Sequence, residues 1–160
     1  MLRGTTVAGW LATLVVAFSI VQAGEDKGQG EKKGEHKAAH GGCLNALGAC
    51  EIGHAEVKIE GDVLRLWFVG GGTDTEKAVR IPDKEITLTV TLEGEKTAKS
   101  LLLKAKPNEL AEEKEGDCSR FEGNADWLKG VKKFVGTGTA TFKGKKQDIR
   151  IEYPAGYDPD

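Results

Sequence analysis

From His40 onward, apolar and polar residues alternate with a period of two, the repeat of strands that bury one face. The clearest run sets Ile86, Leu88, Val90 and Leu92 on one side against Thr87, Thr89 and Thr91 on the other. Val57 and Ile59 begin an earlier run; Glu60-Gly61-Asp62 turns it, and Leu64, Leu66 and Phe68 carry the apolar face back. Leu101, Leu103 and Ala105 return after the turn at Glu93-Gly94-Glu95. Phe134, Gly136, Gly138, Ala140 and Phe142 alternate with Val135, Thr137, Thr139 and Thr141. Beyond Lys143-Gly144-Lys145, Ile149, Ile151 and Tyr153 form the inner face of a last strand. Helix is expected only as single turns after Asn108 and around Asn124 to Leu128, each with Asn at the N-cap.

Short strands at roughly ten-residue spacing, joined by Gly turns, predict an all-β domain over residues 40–155, followed by a tail at 156–160. The expected architecture is an Ig-like or Greek-key β-sandwich of about seven short antiparallel strands with little helix. A small barrel is the alternative, because periodicity does not distinguish one closed sheet from two packed ones.

Two other zones precede the domain. Residues 1–23 carry one charge, Arg3, then an apolar run from Val7 to Val21 and the small-residue ending Val21-Gln22-Ala23. At 1.5 Å per residue the run spans about 22 Å, short of the ~30 Å hydrocarbon core. A cleaved secretory signal peptide is expected, giving a periplasmic or secreted protein that is soluble after cleavage and has no membrane span. The competing reading is an uncleaved anchor. Residues 24–39 (GEDKGQGEKKGEHKAA) contain no Leu, Ile, Val or aromatic residue, and so read as a flexible charged and Gly-rich linker.

Composition narrows the function classes. Lys+Arg 23 against Asp+Glu 25 leaves a net charge of −2, with no basic footprint for nucleic acid. Outside the leader the serines are Ser100 and Ser119, and neither lies in a G-x-S-x-G elbow. His36 and His40 have the i, i+4 spacing of a zinc-protease helix, but Lys37 stands where the base Glu belongs. No enzyme is expected. A blue-copper site is excluded, since Met1 is the only methionine and no Cys–His pair lies near the last strands.

All three histidines and two of three cysteines fall between His36 and His54. Imidazole and thiolate in such a cluster suit zinc or copper. In an oxidising compartment a disulfide competes for the thiols. Cys43–Cys50 would close about 8 residues, worth roughly 2.5 kcal/mol; Cys50–Cys118 would close about 69, worth roughly 4.4 kcal/mol. The Cys50–Cys118 bond is preferred, leaving His36, His40, Cys43 and His54 as the expected metal ligands. Gly70-Gly71-Gly72 reads as a connection after a strand.

The block His40-Gly41-Gly42, the later Gly48, and His54-Ala55-Glu56-Val57 entering the first strand carry a family resemblance. Residues 40–153 resemble the small β-sandwich module, opening with His-Gly-Gly, of periplasmic heavy-metal efflux adaptor subunits and of uncharacterised secreted bacterial proteins. The resemblance implies an extracytoplasmic domain tied to metal handling or envelope assembly, with no catalytic residue. It carries over His40 and, more weakly, His54 as functional positions. The sequence shows no counterpart of the helical hairpin and barrel with which an adaptor reaches its pump, so the module is implied and efflux is not. The expected function is therefore a non-catalytic binding module, monomeric, handling a transition metal. The alternative is a structural or interaction domain that docks an envelope protein, its His/Cys cluster incidental.

Overall fold

The computed structural model describes residues 36–159, which lie in one compact unit, Lys33–Asp160. The expected signal peptide, residues 1–23, and the expected linker up to residue 35 lie outside the described residues. Eight strands follow in chain order: β1 (Cys43–Ala46), β2 (His54–Glu60), β3 (Val63–Val69), β4 (Glu85–Leu92), β5 (Lys99–Ala105), β6 (Arg120–Asn124), β7 (Phe134–Phe142) and β8 (Lys145–Tyr153). All neighbouring strands are antiparallel, in the order β1-β2-β3-β6-β5-β4-β7-β8. Helix among the described residues is limited to three single 3-10 turns.

The all-β expectation holds, but the strands form one nearly closed, barrel-like sheet rather than two packed sheets. The reason lies in β6, which the sequence pattern did not reveal. It pairs with β3 along one edge and with β5 along the other, through Lys104↔Glu122 and Ala105↔Phe121. That second pairing fuses what would have been separate sheets, and the curl faces the two halves onto one core. Val57, Leu64, Leu66 and Phe68 from one half pack in the same buried cluster as Ile86, Leu88, Val90, Phe142, Ile149 and Ile151 from the other. Phe68 sits between Phe121 and Phe142, with ring centroids 5.7 and 5.9 Å away.

The two outer strands, β1 and β8, are joined by a side chain. Asn45 is fully buried. Its Nδ2 donates to the carbonyls of Cys43 and Ala55, and its Oδ1 accepts from the Glu152 N–H at 2.8 Å. Both ends of the amide are satisfied, as burial requires. Beyond β8, Tyr157 runs parallel to β1: its carbonyl accepts from Ala46 N at 2.7 Å, and its N–H donates to Leu44 O. The start of the segment read as a tail is thus part of the seam.

The expected Cys50–Cys118 disulfide is absent: no two of the three cysteine sulfurs lie at bonding distance. Cys118 is held in a two-way backbone bridge with Ile81, and its Sγ donates to Arg120 O at 3.1 Å. Cys50 belongs to the β1–β2 connection and turns towards the seam. The chain-entropy argument ranked loop lengths correctly, but it carries no information on where each thiol is anchored.

Candidate metal centre

The β2–β3 hairpin ends with His54 opposite Val69, so the residues after β3 pass directly behind His54. Three groups in this loop, residues 70–75, hold the cluster. The Gly70 carbonyl accepts from His54 Nδ1 at 3.1 Å. Gly72 N donates to Cys50 O at 3.1 Å. Thr75, almost fully buried, donates from Oγ1 to Lys37 O at 2.9 Å, which fixes the residue next to His36. The loop can approach so closely because Gly71 has no Cβ; one built there would lie 2.2 Å from Glu51 O. The triple glycine marks close backbone contact rather than slack.

The result brings His36, Cys50 and His54 together, with one donor atom from each within 4.8 Å of the others. His36 Nδ1 and His54 Nε2 are 3.2 Å apart, and their rings meet nearly edge to face. A carbonyl only accepts, so His54 Nδ1 carries a proton and Nε2 presents its lone pair to the cluster. This is the outer-shell arrangement that orients metal-ligating histidines. Two imidazole nitrogens on one tetrahedral zinc, each about 2.0–2.1 Å from it, stand roughly 3.3 Å apart. The His36–His54 separation of 3.2 Å is close to that value; as it stands it is also the length of an N–H···N hydrogen bond, with His36 Nδ1 donating to His54 Nε2.

Burial pushes the His54 imidazole below its ordinary pKa, and the neighbouring His36 adds to the effect; the Gly70 carbonyl and the Asp158 and Glu51 carboxylates partly oppose it. His54 is accordingly neutral at pH 7, the form that ligates. Cys50 Sγ donates to Asp158 Oδ1 at 3.1 Å. Cys43 lines the same cleft, as do Tyr157 and Asp158. Its thiol is pushed up by burial, with a hydrogen bond from Asn45 partly opposing, so it stays protonated at neutral pH.

Of the four expected ligands, His36 and His54 meet, whereas His40 does not join them. Its ring Nδ1 donates to Glu56 Oε2 at 2.8 Å, and the ring stacks flat on Trp67 at 4.3 Å. The backbone N–H groups of His40 and Gly42 both donate to Glu56 Oε1 at 2.8 Å. The His-Gly-Gly opening is thus a clamp on a fully buried carboxylate. Cys43 also stands outside the three-residue group and accepts from Asn45 Nδ2 at 3.6 Å. Its place is taken by Cys50, which sequence reasoning had assigned to a disulfide. Glu56 and the Gly70–Thr75 loop were missed as contributors. A triple glycine does signal close backbone approach, but nothing local names the partner.

No helix among the described residues is long and apolar enough to cross a membrane. No protein-family model matches this chain, and no curated protein or solved structure matches it with significance.

Proposed function

We propose that this domain is a non-catalytic module that binds a transition-metal ion, zinc or copper, outside the cytoplasm, through His36, Cys50 and His54. The observation that carries the reading is the 3.2 Å approach of His36 Nδ1 to His54 Nε2, with the Cys50 sulfur in the same group. Two imidazoles and a thiolate form a donor set suited to these metals and unsuited to calcium or magnesium. The leader-like residues 1–23 support the extracytoplasmic setting, and the likeness to efflux-adaptor modules points the same way.

The test is elemental analysis of tag-free protein, followed by calorimetric titration with zinc and with copper. Stoichiometric uptake that is lost in His54→Ala and in Cys50→Ser supports the reading. No saturable uptake at micromolar metal overturns it and leaves the envelope-interaction alternative.

A further inference from the structure

The residue after Tyr157 is placed by the seam. Tyr157 is bonded to β1 on both its N–H and its carbonyl. Gly156 adopts φ +85, and a Cβ there would lie 2.4 Å from Leu44 O, so only glycine lets the segment lie this close to β1. Arg150 covers the Tyr157 ring, with its guanidinium carbon 5.0 Å from the centroid. These contacts hold Asp158 over the cleft, with Oδ1 3.1 Å from Cys50 Sγ. A thiolate sulfur and a carboxylate oxygen on one tetrahedral zinc would stand about 3.5 Å apart. Asp158 comes close to this against Cys50 but stands outside the group of His36, Cys50 and His54, so its carboxylate would turn inward to ligate.

We propose that Asp158 is the fourth ligand, and that the bound ion is a divalent one such as zinc, held by two imidazoles, one thiolate and one carboxylate. The proposal rests on the three-residue reading above and extends it. Its consequence is structural: His36 lies before β1 and Asp158 beyond β8, so one ion ties both segments together across the barrel seam. Another cleft residue with a ligating atom is Cys43. Its sulfur accepts from the Asn45 amide and stands outside the group formed by His36, Cys50 and His54. A carboxylate in place of a second thiolate favours zinc over cuprous copper, which prefers soft sulfur donors.

The experiment compares wild type, Asp158→Asn, Cys43→Ser and His54→Ala. The readouts are zinc titration, the visible spectrum of the cobalt(II)-substituted protein, and amide exchange with and without zinc. Asp158→Asn should weaken zinc binding by at least the ~10–100-fold that losing an outer-shell partner costs, and should change the cobalt spectrum. Zinc should slow exchange of the Tyr157 amide in wild type but not in Asp158→Asn. Cys43→Ser should leave affinity and spectrum unchanged. If Asp158→Asn binds zinc with wild-type affinity and spectrum, the fourth-ligand proposal is overturned while the three-residue site stands. A loss in Cys43→Ser without one in Asp158→Asn overturns it in favour of the thiol. If wild type takes up no zinc, the fourth-ligand proposal is overturned, and the three-residue reading falls with it only if copper is not taken up either. Asp158 is exposed, so the Asn variant should melt as the metal-free wild type does.

Discussion

Thr75 Oγ1 donates to the Lys37 carbonyl across 2.9 Å, and through this bond a loop thirty-eight residues away in sequence positions His36. The loop also contacts Cys50 and His54 through backbone groups, so the Thr75 side chain offers a way to loosen the site without touching a ligand. Thr75→Val keeps the shape and removes the donor. Zinc affinity should fall, by no more than the ~10–100-fold typical of a group bonded directly to a ligand, since Thr75 holds the backbone beside His36 rather than its ring. Stability of the metal-free protein should fall by only about 1 kcal/mol, the usual net worth of one hydrogen bond. Calorimetry and urea unfolding separate the two effects. Equal affinity in the variant would show that His36 reaches His54 without this anchor.

Asn45 replaces, with one side chain, the backbone ladder that β1 and β8 lack. Asn45→Ala would leave the Glu152 N–H unpaired at the seam. The expected cost is about 1 kcal/mol, towards the lower end of the ~1–3 kcal/mol penalty for orphaning a buried donor, because this bond is part-buried. Urea unfolding measures it, and amide exchange at Glu152 should accelerate before exchange in β4 does.

The sheet buries one face of β4, which makes neighbouring residues very unequal. Val90 is fully buried and Thr89 is exposed. Val90→Ala should cost about 1–3 kcal/mol, through lost methyl burial and the void left behind. Thr89→Ala should stay within about 0.5 kcal/mol of wild type. Similar losses at both positions would contradict a one-faced strand.

These contrasts indicate which features a sequence discloses. The inward faces of β2, β3, β4, β5, β7 and β8 were legible because each carries several alternating apolar residues between Gly turns. Asn108 was legible too: its Oδ1 accepts from Leu110 N, capping the 3-10 turn Glu109–Ala111. At the second expected turn the cap residue is Ala125, because Asn124 is spent as the last residue of β6. β1 and β6 are short and mixed in polarity, and without β6 the step from two sheets to one could not be seen. The His/Cys cluster was visible as composition, yet its membership depended on tertiary contacts. Glu56 withdraws His40, Gly72 fixes the backbone at Cys50, and neither partner is local.

A buried carboxylate outside the metal centre is expected to contribute to the acid response. Burial pushes the Glu113 carboxyl up, but it accepts from Ser119 Oγ at 2.6 Å, Asn108 N at 2.9 Å, Ser119 N at 3.3 Å and Cys118 Sγ at 3.7 Å. These donors prevail and hold its pKa below the ordinary 4.5. A carboxyl whose folded pKa is depressed binds its proton more readily in the unfolded chain. Its stabilisation is therefore complete above the unfolded value and lost as pH falls through the folded one. Glu113→Gln should lower stability at pH 7, since an amide cannot accept the same set of bonds on both atoms. It should also flatten the decline of stability below about pH 5 relative to wild type. Urea midpoints measured from pH 7 down to pH 3 give both quantities. Parallel curves for the two proteins would show that Glu113 is not the group whose protonation weakens the fold.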